Sequence, residues 1–165
     1  DVLCLAKGIA DGLPLGAIVA RADVMNWPPG SHASTFGGNP VACAAALASI
    51  RLLESRYVRN SEERGRDLAA GLREMAEGSP IVREVRGKGL MIGVEIQDPQ
   101  GEPAPRLRDR IIDAAFRRGL LLLPCGSSTL RFCPPLCLTP RQVEIGLGLT
   151  ASALADVQAA READV

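Results

Sequence analysis

Asp1-Val2-Leu3-Cys4-Leu5-Ala6-Lys7-Gly8, followed by Gly12-Leu13-Pro14-Leu15-Gly16-Ala17, is the stretch on which the reading of this chain turns. Val2 to Ala6 is a short apolar run, the pattern of a buried strand. Residues 15–20, Leu-Gly-Ala-Ile-Val-Ala, read as a second buried strand, with Gly8, Gly12 and Pro14 punctuating the loop between. A buried strand with nothing before it suggests a fragment whose sheet is mostly encoded upstream. Lys7 stands at the end of that strand. The chain has two lysines, Lys7 and Lys88, against seventeen arginines, so a cation that only needs solvation is usually Arg here. A lysine closing an apolar run is positioned and partly desolvated. Free Lys has a pKa of about 10.4; desolvation lowers it and frees the amine to attack a carbonyl. Arg cannot do this, because it does not give up its proton. Taken by itself, Lys7 also fits a plain strand-end lysine whose head reaches water.

Downstream, Ser31-His32-Ala33-Ser34-Thr35-Phe36-Gly37-Gly38-Asn39-Pro40 places hydroxyls and glycines before a helix. Asn39 is a good cap and Pro40 suits the first helical position. A helix start offers unpaired N–H groups and a positive dipole end, which suit a phosphate, and Thr35 could add a hydroxyl. The same residues also fit an ordinary capped loop. Val41 to Ala48 is apolar all round, which predicts a helix buried on every side. His32, the single histidine, is a loop residue and is given no catalytic role.

A second helix is expected over 61–77, with Asn60 and Glu63 as a capping box. Strand-like segments follow at 81–86 and 90–96, joined by Gly87-Lys88-Gly89. A third helix, 106–118, ends at Gly119 in a left-handed cap. Strands at 120–123 and 129–133 precede a last helix capped by Thr139 and Gln142. Arg131 lies in the apolar segment Leu130-Arg131-Phe132-Cys133-Pro134-Pro135. A charge there needs a partner, and a carboxylate taking two parallel hydrogen bonds would serve. A structural ion pair or an exposed strand face would serve as well.

Other classes are excluded by composition and motif. Nineteen basic residues balance nineteen acidic ones, without the basic stripe that nucleic acid or an anionic membrane would need. No apolar run is long enough to span a bilayer. Neither the phosphate-loop motif nor the dinucleotide fingerprint is present. Cys4, Cys43, Cys125, Cys133 and Cys137 form no C-x-x-C pair, so no metal site is expected; they read as buried free thiols of a cytoplasmic protein.

Together these segments resemble the class III aminotransferases, pyridoxal-phosphate enzymes of fold type I. The first stretch looks like the family's cofactor-lysine segment. His32 to Pro40 looks like its phosphate segment. Gly87-Lys88-Gly89-Leu90-Met91 and Arg131-Phe132-Cys133-Pro134-Pro135-Leu136 match two further landmarks in the same order. The resemblance implies an α/β fold. Residues 1–55 would be the end of the large cofactor-binding domain with an interdomain helix, and 56–165 the small α+β carboxy-terminal domain. It also implies roles. Lys7 would carry pyridoxal phosphate and then move the substrate proton. Thr35 would bond the cofactor phosphate, across the interface of a homodimer. Arg131 would hold the carboxylate of the amino donor or of a 2-oxo acid such as 2-oxoglutarate.

Trp27-Pro28-Pro29-Gly30 looks most like 4-aminobutyrate aminotransferases, with acetylornithine and ornithine enzymes close behind. An amino-acid racemase on the same fold would use the same lysine and phosphate residues. A non-enzymatic dimerising chain is a further alternative. The family's ring-nitrogen Asp, stacking aromatic and first phosphate loop lie upstream of its lysine and have no counterpart here, so these residues alone are expected to be inactive. Asp11 stands where relatives often carry a small residue.

Overall fold

The computed structural model describes residues 1–162, and its chain falls into two compact units, Asp1–Tyr57 and Val58–Val165. In the first unit, β1 (Val2–Leu5) and β2 (Ala17–Ala20) form a two-stranded antiparallel ladder, Val2 opposite Ala20 and Leu5 opposite Ala17. A 3₁₀ turn, Lys7–Ala10, leaves β1 directly. α1 (Pro40–Leu52) starts where its sequence dictates: Asn39 Oδ1 accepts from the Val41 and Ala42 amides at 2.9 and 3.2 Å. A π-helical turn, Leu53–Tyr57, closes the unit.

Burial within this chain differs from the sequence reading at two places. β1 and β2 are not buried: Val2, Leu3, Ile18 and Val19 are all exposed. A two-stranded ladder has no second layer to cover either face. Nor is α1 buried all round, since Val41, Leu47, Ile50 and Leu52 are exposed. Its covered stripe is Ala42 and Ala46, one helical turn apart, and the helix packs on the Lys7–Ala10 turn, whose Ala10 is also buried.

The second unit is α2 (Val58–Glu77), β3 (Val82–Lys88), β4 (Met91–Ile96), α3 (Pro105–Arg117), β5 (Leu123–Cys125), β6 (Thr129–Phe132) and α4 (Pro140–Glu162). Its antiparallel sheet has the order β3-β4-β6-β5. Strand alternation sorts its side chains. Ile92, Val94, Ile96, Leu130 and Phe132 go into one core with Leu68 and Leu72 of α2, Ile111 and Ala115 of α3, and Val143 and Leu154 of α4. The intervening residues Gly93, Glu95, Thr129 and Arg131 go to the opposite face.

Close approach is obligatory where α2 meets the β3–β4 turn. A Cβ on Gly65 of α2 would collide with the Gly89 carbonyl in the β3–β4 turn, so only glycine lets the helix lie there. Ser61 secures the same contact by accepting from the Leu90 amide at 3.2 Å. Thr139 and Gln142 form the expected box, and Gly119 ends α3 in left-handed geometry.

The expected Asn60–Glu63 box is absent, because α2 begins at Val58 and Asn60 lies inside it. Asn60 Nδ2 instead donates to the Leu136 and Leu138 carbonyls at 2.7 and 3.0 Å. The strand expected at 120–123 falls later, at Leu123–Cys125. The Leu120 amide is drawn back to the Ala115 carbonyl to finish α3, so that residue cannot enter a ladder. The cysteines are not buried thiols: Cys43 is half-buried and the other four are exposed. Among the described residues no three His, Cys, Asp or Glu side chains gather to hold a metal, and no helix is long and apolar enough to cross a membrane.

Candidate active site

Lys7 opens the 3₁₀ turn with φ +53°, left-handed geometry that a non-glycine residue rarely adopts. Such a conformation costs about 1–3 kcal/mol and persists only where the surroundings impose it. Here the antiparallel ladder holds the chain before the lysine. The turn after it closes through the Ile9 amide on the Ala6 carbonyl and the Asp11 amide on the Gly8 carbonyl. Lys7, Gly8, Asp11, Gly12, Leu13, Pro14 and Leu15 line a depression of about 400 Å³. Contrary to the partial burial expected, Lys7 is exposed, as β1 itself is. Its amine has no hydrogen-bond or ion-pair partner among the described residues.

Thr35 lies exposed in the bend before α1. The expectation of unpaired amides at that helix start needs correction. Asn39 occupies the Val41 and Ala42 amides, and its backbone carbonyl takes Cys43. The Gly37 amide is spent on the Ser34 carbonyl and the Asn39 amide on Phe36. An anion here would be taken by the Thr35 hydroxyl and the remaining loop amides, not by the first helical turn. The His32 ring stacks at a tilt on Trp27, centroids 5.1 Å apart, which is a structural contact.

Arg131 belongs to the second unit. Leu130 and Phe132 on either side are buried in the core, which turns Arg131 outward. Its charge is therefore solvated, and among the described residues nothing bonds or pairs with it. It lines an apolar cavity of about 480 Å³ with Leu121, Leu123, Phe132, Cys133 and Pro134 among others. Asn60, which sequence reasoning cast as a helix cap, ties down the segment that follows β6 through Leu136 and Leu138. Only its side-chain amide hinted at that use.

The sheet face that carries Arg131 also carries a polar network. Glu95 accepts from the Ser128 hydroxyl at 2.8 Å and the Thr129 hydroxyl at 3.0 Å, and pairs with Arg86 at 2.8 Å. The Ser128 bond, then Arg86, holds the Glu95 carboxyl below its ordinary range. Arg86 is pushed up in turn, chiefly by Glu95. Sequence patterning does not expose this network, because the partners of Glu95 lie 9 to 34 residues away along the chain.

The aminotransferase class III family model matches residues 1–154. This chain belongs to that family. Among curated class III relatives, acetylornithine aminotransferase from Thermosynechococcus vestitus is 41% identical over 161 residues, covering 96% of this chain and 38% of the relative. The 4-aminobutyrate aminotransferase from Mycobacterium leprae is 39% identical, covering 94% and 36%. The chain thus spans well under half the length of the relatives it matches.

Among solved structures, the ornithine aminotransferase of Toxoplasma gondii superposes with a TM-score of 0.86 at 31% identity, covering 98% of this chain and 38% of that one; pyridoxal phosphate partly occupies its active site. A phospholyase from Arthrobacter, bound to phosphoethanolamine, also gives 0.86 at 30% identity, covering 93% and 38%. The fold is the α/β fold of type I pyridoxal-phosphate transferases, and pyridoxal phosphate is the family's cofactor. The side chains fit such a group: a constrained, unpartnered amine over a depression and a hydroxyl loop for a phosphate.

Proposed function

We propose that this chain carries the lysine, one phosphate-binding residue and the carboxylate-binding domain of a transaminase. It would move an amino group from an ω-amino donor, such as 4-aminobutyrate or acetylornithine, to a 2-oxo acid such as 2-oxoglutarate. The observation behind this reading is Lys7: an unpartnered amine held in left-handed geometry above a depression, inside a family match that runs through it. The bound cofactor supplies an electron sink for the substrate carbon. Lys7 holds the cofactor covalently through its ε-amine. When not bonded to the cofactor, the Lys7 ε-amine would serve as the base that takes the proton from the substrate carbon and gives it back. Thr35 binds the phosphate from the neighbouring subunit of a homodimer. Arg131 clamps the substrate carboxylate in its planar fork. Residues 1–55 belong on this reading to the end of the large domain and the interdomain helix, 56–165 to the small domain, and the enzyme works in the cytoplasm.

The test is borohydride reduction of the protein expressed from the complete reading frame, loaded with pyridoxal phosphate. A pyridoxyl group mapped to Lys7, with 2-oxo-acid-dependent amino transfer, is the expected result. An unmodified Lys7 in folded protein overturns the assignment. A second reading is favoured by the Arthrobacter phospholyase: elimination of phosphate from a phosphorylated amine. Phosphate release from phosphoethanolamine without amino transfer would select it. Loss of optical activity from a single enantiomer, with no oxo acid formed, would select racemisation.

A further inference from the structure

Register places Arg86 of β3, Gly93 of β4, Arg131 of β6 and Leu123 of β5 in one cross-strand row. Glu84, Glu95, Thr129 and Cys125 form the next row on the same face. Neighbouring strands are about 4.8 Å apart, so two guanidinium-bearing residues stand roughly 10 Å apart with only a glycine between them. Arg86 exploits that gap. Its Nη2 reaches across β4 to Glu95 Oε2 at 2.8 Å and to Thr129 Oγ1 at 3.3 Å, and its Nη1 pairs with Glu84 at 3.0 Å. A Cβ on Gly93 would come within 2.9 Å of Thr129 Cγ2, so a side chain there would crowd the crossing point.

Glu95 is the hub. One carboxylate oxygen takes Ser128 and the other takes Thr129 and Arg86, so three strands and the loop before β6 are tied at a single group. Ser128 is fully buried and Thr129 is 5% exposed, so the hydroxyl end of this contact is built into the fold, while Arg86 is half-exposed. The tie falls two and three residues before Arg131. β6 has four residues and its outer neighbour β5 has three, so few ladder bonds add to the core packing of Leu130 and Phe132 in holding this strand. The backbone bond from the Ile96 amide to the Ser128 carbonyl, 2.9 Å, reinforces the same point.

We propose that Glu95 is a positioning residue for Arg131. It pins the start of β6 to β4 and engages Arg86, so that Arg131, and not Arg86, meets the substrate carboxylate. This rests on the transaminase reading above. Without the carboxylate, Arg86 would keep its Glu84 pair on β3 but lose its ion pair across β4, so its guanidinium could turn along the row toward Arg131. A second mobile cation in that row would spoil the planar two-bond geometry by which one arginine reads one carboxylate.

The test uses the complete holoenzyme. Glu95→Gln keeps size and one acceptor but removes the charge that draws Arg86 across β4. Expected is a rise of about tenfold in KM for the 2-oxo acid, with kcat changed less than about twofold. The dissociation constant of glutarate, an unreactive dicarboxylate measured by calorimetry, rises in parallel. In an Arg131→Ala background, Glu95→Gln adds less than about twofold, because both act on one interaction. Thr129→Val, which keeps the branched shape and removes the hydroxyl, moves KM in the same direction and guards against Glu95→Gln failing to fold. The proposal is overturned if the two substitutions multiply independently, or if kcat and thermal stability fall while KM and glutarate binding hold. It is also overturned if glutarate binding in the parent protein does not depend on Arg131. If the parent transfers no amino group but glutarate binding still shows the coupling, the transaminase reading fails and the Glu95–Arg131 coupling stands.

Discussion

From Leu68 to Val157 the second unit buries one continuous core, whereas the buried hydrophobic side chains of Asp1–Tyr57 are Ala10, Ala42 and Ala46. The difference lies in how each unit holds its candidate side chains. Lys7 and Thr35 sit on a turn and a bend, held by backbone hydrogen bonds and by packing between alanines. Arg131 sits on a strand whose neighbours, Leu130 and Phe132, are locked in the core. Chemistry should therefore separate from stability in the first unit, while in the second the two are coupled through β6.

The sharpest way to break that comparison is Lys7→Ala in the complete enzyme. Loss of the group proposed to move the proton should lower kcat on the order of 10³-fold or more. Because Lys7 is exposed and unpartnered, thermal unfolding of the cofactor-free protein should shift little. A large fall in melting temperature would show that Lys7 is structural. Next in size, Leu130→Ala should destabilise by roughly 2–5 kcal/mol by urea denaturation, while Leu47→Ala, 57% exposed in α1, should stay within about 0.5 kcal/mol. Equal effects would mean that α1 is covered as fully as the core of the second unit.

Gly65→Ala should cost about 1–3 kcal/mol, since α2 must move off the Gly89 carbonyl; a neutral result would mean that the turn yields freely. The smallest effect concerns pH. The folded Glu95 carboxyl is held below its ordinary value, so below that value the unfolded state binds the extra proton first. Its contribution to stability is full above the ordinary carboxylate range and is lost as pH falls through the folded value. Glu95→Gln should flatten the acid limb of a urea-midpoint profile; an unchanged slope would show that the clamp does not persist in solution.

Much of the second unit is legible in one dimension because its periodicities are local. The stripe Leu68, Leu72 and the alternation Ile92, Val94, Ile96 announce which face is covered. The Gly119 and Thr139–Gln142 signals follow from backbone geometry that a few residues settle by themselves. Asn60 misled because capping propensity is a short-range preference, and here the carbonyls of Leu136 and Leu138 outbid it. The apolar character of α1 and of β1 and β2 was legible; its burial was not, since burial depends on what packs against an element.

The candidate site divides the same way. The rarity of lysine beside many arginines, and its place at the end of an apolar run, single out Lys7 from sequence. So do the hydroxyl–glycine bend at Thr35 and the misplaced charge of Arg131. What sequence alone determined is the family, and with it Lys7, Thr35 and Arg131 as candidates, because residue type, spacing and local backbone preference are carried along the chain. Only the tertiary structure decided how Lys7 is held, where the helix-start amides of α1 are spent, and that Arg86, Glu95 and Arg131 share one sheet face. Those facts depend on register between strands far apart in sequence, and register is settled by the whole packed sheet.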